Sequence, residues 1–469
     1  MGECDGDAVI DCADICGGGA VIDSCGLCTG GTTGLLPNYL MDCSGECGGD
    51  AVIDSCGVCD GDNSSCSGCT NPEAMNYDPV AVFDDGSCIL PDIIVPDDYS
   101  TIQGALDAAS EGNTIYVREG TYDENIVWPD VEDIKLIGEN RETTIIDAQY
   151  SSYAINMEDF SVWIDHRSEI NGFTVQNASR AGIRASSANP RLENLIIQNN
   201  GGDAWYAGMY LQSVGDQNGH SEPDTLIIKN VIVKNNLGMG VELRNETLEG
   251  QDTDSYPYIG YTHIENCIFQ DNHQGPSSNL YDGIGISIEQ NLSTINILDS
   301  KFINNSTNGG SAALKIENDN YLPAGSTLIA NCIFTGNNGW QSPYTIDAQN
   351  AVMVNSILFS NGYGINSDLS LVVSSIVEYL DGQPGAYQNC IDLNPLFTDP
   401  ENGDYTLQLE SPCVDAGTAY VEFNGEIIYD LSPEEYEGFA PDIGPWETSQ
   451  MFVPDPIITG IIDVPDDQG

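Results

Sequence analysis

Five short segments carry chemically capable side chains at matching offsets. "GIRAS", "GMYLQ", "GVELR", "GISIE" and "ALKIE" align so that one outward position holds Arg184, Tyr210, Glu242, Ser287 and Lys315 in turn. Two residues on, the parallel set is Ser186, Gln212, Arg244, Glu289 and Glu317. Hydrolysis of a glycosidic bond needs two carboxylates, one to protonate the leaving oxygen and one to attack or to activate water. Glu242 with Glu289 or Glu317 are the outward pairs that could serve. Lys315 and Arg244 are the basic groups within the same set, and Tyr210 lies at its edge. Long segments come after three of these strands at one corner, at 213–224, 245–258 and 318–326, whereas none comes after Glu289. This predicts a walled notch above Ser287 and Glu289, floored by Arg244, Lys315 and Glu242. An ordinary ladder of cross-strand charge pairs, worth ~0.2–1 kcal/mol each, accounts for the same residues. Catalysis, glycan binding without turnover and a purely structural role all stay open on these residues. His166, His220, His263 and His273 fall on different turns or loops and read as surface residues.

A second set of residues suits a hard cation. Asp5, Asp7 and Asp11 stand in "DGDAVID", Asp50 and Asp54 in a second copy, Asp60, Asp62 and Asn63 in "DGDNSS", and Asp84 and Asp85 in "DDGSC". Alternating carboxylates with glycine at the bend let several oxygens converge on Ca2+. No complete EF-hand loop is present, because the distal bidentate glutamate is missing. A solvated acidic linker is the plainer alternative.

These aspartates are interleaved with cysteines. Cys12, Cys16, Cys25 and Cys28 recur 31 residues later as Cys43, Cys47, Cys56 and Cys59, and Cys66, Cys69 and Cys88 come next. Twelve of the sixteen cysteines lie in residues 1–90, with 16 Asp/Glu and no Lys, Arg or His. Cys-x2-Cys beside Cys-x3-Cys could hold zinc. Disulfides are the better reading: the count is even, apolar residues are few, and carboxylates oppose thiolate formation. The segment is expected in an oxidising, extracellular setting.

Charge excludes several partners. The chain has 469 residues with 73 Asp+Glu against 12 Lys+Arg, a formal net charge of −61. A polyanion is a poor partner for nucleic acid or an anionic membrane surface. No apolar run is long enough to span a bilayer. Met1-Gly2 leads straight into acidic, cysteine-rich sequence, so a longer natural protein with additional domains is expected.

The elements that position the first set of residues form a repeat. "NLIIQNN" from Asn194, "NVIVKNN" from Asn230, "NCIFQDN" from Asn266, "DSKFINN" from Asp299, "NCIFTGN" from Asn331 and "NSILFSN" from Asn355 share one pattern, with "GFTVQNA" from Gly172 as an earlier copy. Steps of 22 to 36 residues around a fixed core describe a coil with insertions at its corners. Positions one and three past each anchor should face inward, among them Leu195, Ile197, Cys267, Phe269, Cys332 and Phe334. The residue between them should face out, giving an isoleucine stripe broken by Lys301. Asn200, Asn236, Asn272, Asn305, Asn337 and Asn361, six residues past the anchors, should stack as an amide ladder that also serves the left-handed corners. Cys267 and Cys332 should be buried free thiols. "DDYSTIQGALDAAS" reads as a short amphipathic helix opening the coil.

These motifs resemble known families. "DSCGVCDGDNSSC" is similar to thrombospondin type 3 calcium-binding repeats. "YSTIQGALDAASEGNTIYVREGTYDENI" and the repeats to about residue 395 resemble the pectin lyase-like superfamily, as in secreted bacterial proteins. This implies an all-β, right-handed parallel β-helix with a short N-terminal capping helix, preceded by a small disulfide-rich, Asp-rich irregular segment. The boundaries implied are 1–90, 91–395, a C-terminal cap at 396–448, across which Cys390 and Cys413 could pair, and a tail at 449–469. Lyases of this fold use a Lys or Arg base with Ca2+ neutralising a uronate. "GTYDE" (Gly120–Glu124) and "QDT" (Gln251–Thr253) resemble pectin methylesterases, but that family's second catalytic Asp motif and its Arg-Trp motif are absent. The expected function is a secreted or cell-surface, calcium-stabilised structural or adhesive rod, able to engage an extracellular polysaccharide, a surface glycan or other surface proteins. The alternative is a polysaccharide lyase or glycoside hydrolase working in the notch.

Overall fold

The computed structural model describes residues 8–448, apart from 55, 62–63, 73, 159–161, 163, 202–206, 215–224, 247–260, 274–284, 292–293, 308–310, 319–326, 340–343, 363, 366–368 and 379–386. The chain forms two compact units, Met1–Pro91 and Asp92–Gly469.

The first unit has almost no regular structure, so covalent and polar links do the work of a core. Disulfides join Cys12 to Cys28 and Cys43 to Cys59 within the two repeats. Cys25–Cys47 links the first repeat to the second, Cys56–Cys66 links the second to the last module, and Cys69–Cys88 closes that module. Cys16 is disulfide-bonded as well. Within each loop one aspartate collects backbone amides. Asp42 Oδ1 accepts from Ser44 and Glu46 at 3.0 and 2.9 Å, and Oδ2 accepts from Ala51 at 3.2 Å. Asp11 does the same with Ala13, Ile15 and Ala20, and Asp23 with Cys25, Leu27 and Asn38. These bonds favour the ionised form and hold the carboxyls of Asp11, Asp23 and Asp42 below the usual range. Seven residues after Asp11, Asp42 and Asp54 stands a glycine whose Cβ, if present, would lie 1.9–2.2 Å from the aspartate Oδ2. Gly18, Gly49 and Gly61 are therefore small because the carboxylate passes there.

The second unit is a parallel β-helix, the fold that the resemblance implied. Three long parallel sheets of twelve, ten and nine strands are visited in rotation, here called A, B and C. One turn runs from Arg191–Glu193 in sheet A through Ile196–Gln198 in sheet B to Ala207–Val214 in sheet C. The next begins at Thr225–Lys229, which pairs in parallel with Arg191–Glu193. The opening helix, Ile102–Ala108, buries Ile102, Ala105 and Leu106. Thr101 caps it through Gly104 N–H, and the Glu124 carboxylate accepts from Ile102 and Gln103 N–H. The "GTYDE" glutamate is thus a helix brace.

Inside the coil the expected inward pairs are all fully buried. Phe269, Phe302 and Phe334 stack with ring centroids 4.9 and 4.6 Å apart. Cys267 and Cys332 are buried free thiols, with burial pushing Cys267 up to about 12. The six asparagines form the expected ladder: Nδ2 of Asn200, Asn236, Asn272, Asn305 and Asn337 donates to Oδ1 of the next at 3.0–3.2 Å. Each Nδ2 also donates to a backbone carbonyl of the preceding turn, as from Asn272 to Val233. The ladder residues do not supply the left-handed corners. That conformation belongs to the residues beside them, including Asn199, Asn235 and Asn304, and to the anchors Asn194, Asn230, Asn266, Asp299, Asn331 and Asn355. The anchors form a second, outer ladder, as in Asn230 Nδ2 to Asn194 Oδ1 at 3.2 Å.

The C-terminal segment lies against the outside of the last turns. Phe397, Tyr405, Leu407, Cys413 and Ile443 cover Ile303, Ile333, Ile357 and Ile376 on sheet B. Val421 and Tyr429, from the hairpin Tyr420–Phe423 and Glu426–Asp430, cover Val352, Val354, Leu371 and Val373 on sheet A. The isoleucine stripe is therefore in large part a packing surface for the chain's own end. Cys390 and Cys413 do not pair; both thiols are free.

Two substitutions probe these contacts. Gly49→Ala should expel Asp42 from its amide cage and destabilise the first unit by about 1–3 kcal/mol, measured by denaturant unfolding with disulfides intact. Asn272→Ala breaks the inner ladder at its middle and orphans buried polar groups on both sides. It should cost about 2–4 kcal/mol in the second unit, read from thermal unfolding followed by circular dichroism.

Candidate functional site

Sheet C presents the aligned polar residues in the expected register. Along one outward line Asn156, Arg184, Tyr210, Glu242, Ser287, Lys315 and Asp347 are consecutive partners. Along the second, Ser186, Gln212, Arg244 and Glu289 succeed one another. The expected neighbour of Glu289, Glu317, does not continue this line, because the register shifts between Ile288 and Asn291. Glu317 instead pairs within its own strand, its Oε1 2.9 Å from Lys315 Nζ.

The centre of the set is a guanidinium between two carboxylates. Arg244 Nε donates to Glu242 Oε1 at 2.7 Å. Its NH2 nitrogen lies 2.6 Å from Glu242 Oε1 and 3.4 Å from Glu289 Oε2. One guanidinium nitrogen thus bridges an oxygen of each carboxylate and holds the pair side by side. Glu242 is 2% exposed, whereas Glu289 and Arg244 reach solvent. Burial works against the charge on Arg244, but Glu242 outweighs it and holds the group above its ordinary range. Arg244 stays protonated and is no base; it can orient carboxylates or meet an anionic sugar. Tyr210 lies beside it, with the guanidinium carbon 6.0 Å from the ring centroid. Ser287, fully buried between Glu242 and Lys315, has an Oγ without a hydrogen-bond partner among the described residues.

Sequence alignment held Arg184 but missed the two ends of the line, Asn156 before it and Asp347 after Lys315. Arg184 is paired with Glu158 and sits 5.3 Å over the Tyr153 ring. Asp347 lies one rung past Lys315. "YAINME" and "YTIDA" carry the same alternation and could have been aligned. The segments expected to wall the notch, and Gln251–Thr253, lie outside the described residues apart from their first strand positions.

Among the described residues, the aspartates of the calcium set bind backbone amides or face solvent. Asp11 and Asp54 accept backbone amides, Asp54 from Cys56 and Val58. Asp84 accepts from Gly86 and Asp85 from Ser87, while Asp50 and Asp60 are exposed. Asp5, Asp7, Asp62 and Asn63 lie outside the described residues. Among the described residues no group of three or more His, Cys, Asp or Glu is placed to hold a metal ion. Among them, too, no helix is long and apolar enough to cross a membrane.

No family model matches the chain. It is similar to a pectinesterase from Aspergillus aculeatus, 31% identical over 127 residues. That stretch is 26% of this chain and 35% of the pectinesterase, so the chain spans about a third of the length of the curated relative it matches. Among solved structures, pectate lyase Pel9A superposes with a TM-score of 0.47 at 14% identity, covering 74% of this chain and 91% of its own. Pectin methylesterase from carrot gives a TM-score of 0.27 at 12% identity, covering 68% and 92%.

Proposed function

We propose that the chain is an extracellular carbohydrate-active protein that cleaves glycosidic bonds along the outer face of sheet C. The observation that carries this reading is the carboxylate pair Glu242 and Glu289, held on one guanidinium at the centre of an outward polar line. In a hydrolytic reaction Glu289, the more accessible, would donate a proton to the leaving oxygen, and Glu242 would attack the anomeric carbon, or take a proton from the water that does, so that water's hydroxyl ends on the sugar and its proton restores the acid. Tyr210 offers a ring face on which a sugar can stack, and Lys315 a cation for an acidic sugar. The partial likeness to a pectinesterase supports an acidic plant-type polysaccharide as the substrate class. It does not carry the esterase reaction over, because two of the motifs that reaction uses are absent from this sequence. Disulfide bonding of the first unit supports an oxidising, extracellular location.

One observation favours a structural rod instead. The charges on sheet C satisfy one another, Arg244 with two glutamates and Lys315 with Glu317, as a stabilising ladder would. Turnover separates the two readings. Polygalacturonate and neutral polysaccharides should be incubated with the full chain, monitoring new reducing ends and unsaturated products separately. Hydrolysis should appear as reducing ends alone, and Glu242→Gln and Glu289→Gln should each lower kcat at least about a hundredfold with the fold intact. Unsaturated product would assign a lyase acting through Lys315. No product from any polymer would leave the rod.

Calcium belongs to this proposal at the N-terminal repeats, with Asp5, Asp7, Asp62 and Asn63 as the residues to test. A chelator should then lower the melting temperature of the first unit, and an unchanged melting curve would exclude the ion from these repeats.

A further inference from the structure

The outward stripe on sheet B runs Ile196, Ile232, Ile268, Lys301, Ile333, Ile357 and Ile376, each the direct partner of the next. Six positions are isoleucine and one is lysine. The lysine stands where the C-terminal segment begins to cover the stripe, with Ile303 of its own strand and Ile333 of the next already packed under that segment. An aliphatic residue would extend the packed surface, so a cation here needs a reason.

Beside Lys301 a cavity of about 390 Å³ opens between sheet B and the segment Pro400–Tyr405. Its walls are mixed in a particular way. Ile268, Ile303 and Tyr405 supply apolar faces, Gln270 and Asn304 supply amides, and Glu401 lies at the edge of the C-terminal segment. The Lys301 ammonium is 3.9 Å from the centroid of the Trp446 ring, and no ion pair joins it to a carboxylate among the described residues. A ring contact leaves an ammonium's other hydrogen-bond donors to be satisfied. A saturated ring with hydroxyls and one carboxylate matches these walls: carboxylate to ammonium, ring face to Ile268 and Tyr405, hydroxyls to the amides.

We propose that this cavity is a second carbohydrate site, distinct from the line on sheet C, which takes a hexuronate unit whose carboxylate pairs with Lys301. The proposal rests on the reading of the chain as polysaccharide-active. The site would anchor an acidic chain on a face adjoining the cleaving one.

The test is calorimetric titration of the full chain with galacturonate and with galactose, which differ in the carboxylate and share the ring. Galacturonate should bind, with galactose at least about tenfold weaker. Lys301→Met keeps the stem and removes the charge, and should abolish that preference while circular dichroism stays unchanged. Burial pushes the Lys301 amine down to about 8. Uronate affinity should therefore fall as pH rises through that region; of the other groups about the cavity, which include Glu401 and Asp271, Asp404 is held below its usual range by Thr406 and Tyr405 above its usual range by burial. Glu401→Gln removes a nearby negative charge without touching the stripe and should strengthen uronate binding. Equal binding of the two sugars, or uronate binding unaffected by Lys301→Met, would overturn the proposal. So would no binding at all together with a lower melting temperature for Lys301→Met, which would make the lysine a clamp on Trp446. Failure of the cleavage reading is seen separately, because Glu242→Gln should abolish turnover and leave galacturonate binding intact.

Discussion

Each turn of this coil must bend at every corner without leaving a buried backbone amide unpaired. Corner residues cannot join the strand ladders on both sides, and the corner between sheets B and C faces the interior. The amide side chain solves this locally. Each ladder asparagine accepts from a backbone N–H of the preceding turn, as Asn272 Oδ1 does from Asn236, and donates both to a carbonyl of that turn and to the next amide. All of these side chains are buried or nearly so, which makes every link costly to remove and fixes the stacking register. Because side chains alternate between the two faces of a strand, a fixed register at the corner also fixes which residues point outward on sheet C. The line from Arg184 to Lys315 is therefore a consequence of the chemistry at the corner that feeds it.

The coil also has to deal with its outer faces. Sheets A and B carry aliphatic residues outward in their last turns, and the C-terminal segment packs on both. Sheet C carries charged and hydroxyl side chains at the same depth along the coil. This division reflects the surroundings of each surface. A strand face that reads as isoleucine after isoleucine has to be covered, and one that alternates Arg, Tyr, Glu, Ser and Lys can face water or a sugar.

Much of the fold was legible because the repeat is short, strict and tied to physical roles. Inward pairs such as Cys267/Phe269 and Cys332/Phe334 follow from strand alternation alone, and the amide ladder follows from Asn recurring at one offset. Legibility failed where the determinant is not periodic. The split between ladder asparagines and left-handed neighbours such as Asn199 cannot be read from two adjacent identical letters. The shift of register between Ile288 and Asn291 moved Glu317 off the line, and nothing in "GISIE" or "ALKIE" marks it. In the first unit the amide cages of Asp11, Asp42 and Asp54 were not read from the sequence, because a lone aspartate before a cysteine carries no periodic signal. Only the positions of Gly18, Gly49 and Gly61 relative to Asp11, Asp42 and Asp54 point to the cage, and that spacing has meaning once the loop is closed by its disulfide.

The distribution of cations gives the two candidate sites a common logic. With 73 acidic and 12 basic side chains, the background field of the chain repels acidic polymers. An acidic polysaccharide could then be held only where a cation is fixed at short range in partly desolvated surroundings, since distant charges are screened within about 10 Å. Arg244 and Lys301 meet that condition on adjoining sheets. Arg244 has glutamates around it, so a sugar carboxylate must compete with them. Lys301 has an aromatic ring beside it and no carboxylate at ion-pair distance among the described residues, so a sugar carboxylate competes with the longer-range attraction of Asp404 rather than with a formed ion pair. Affinity and chemistry are then separable by position: the cation that is already neutralised stands beside the paired carboxylates, and the one that is not stands where a chain could be held.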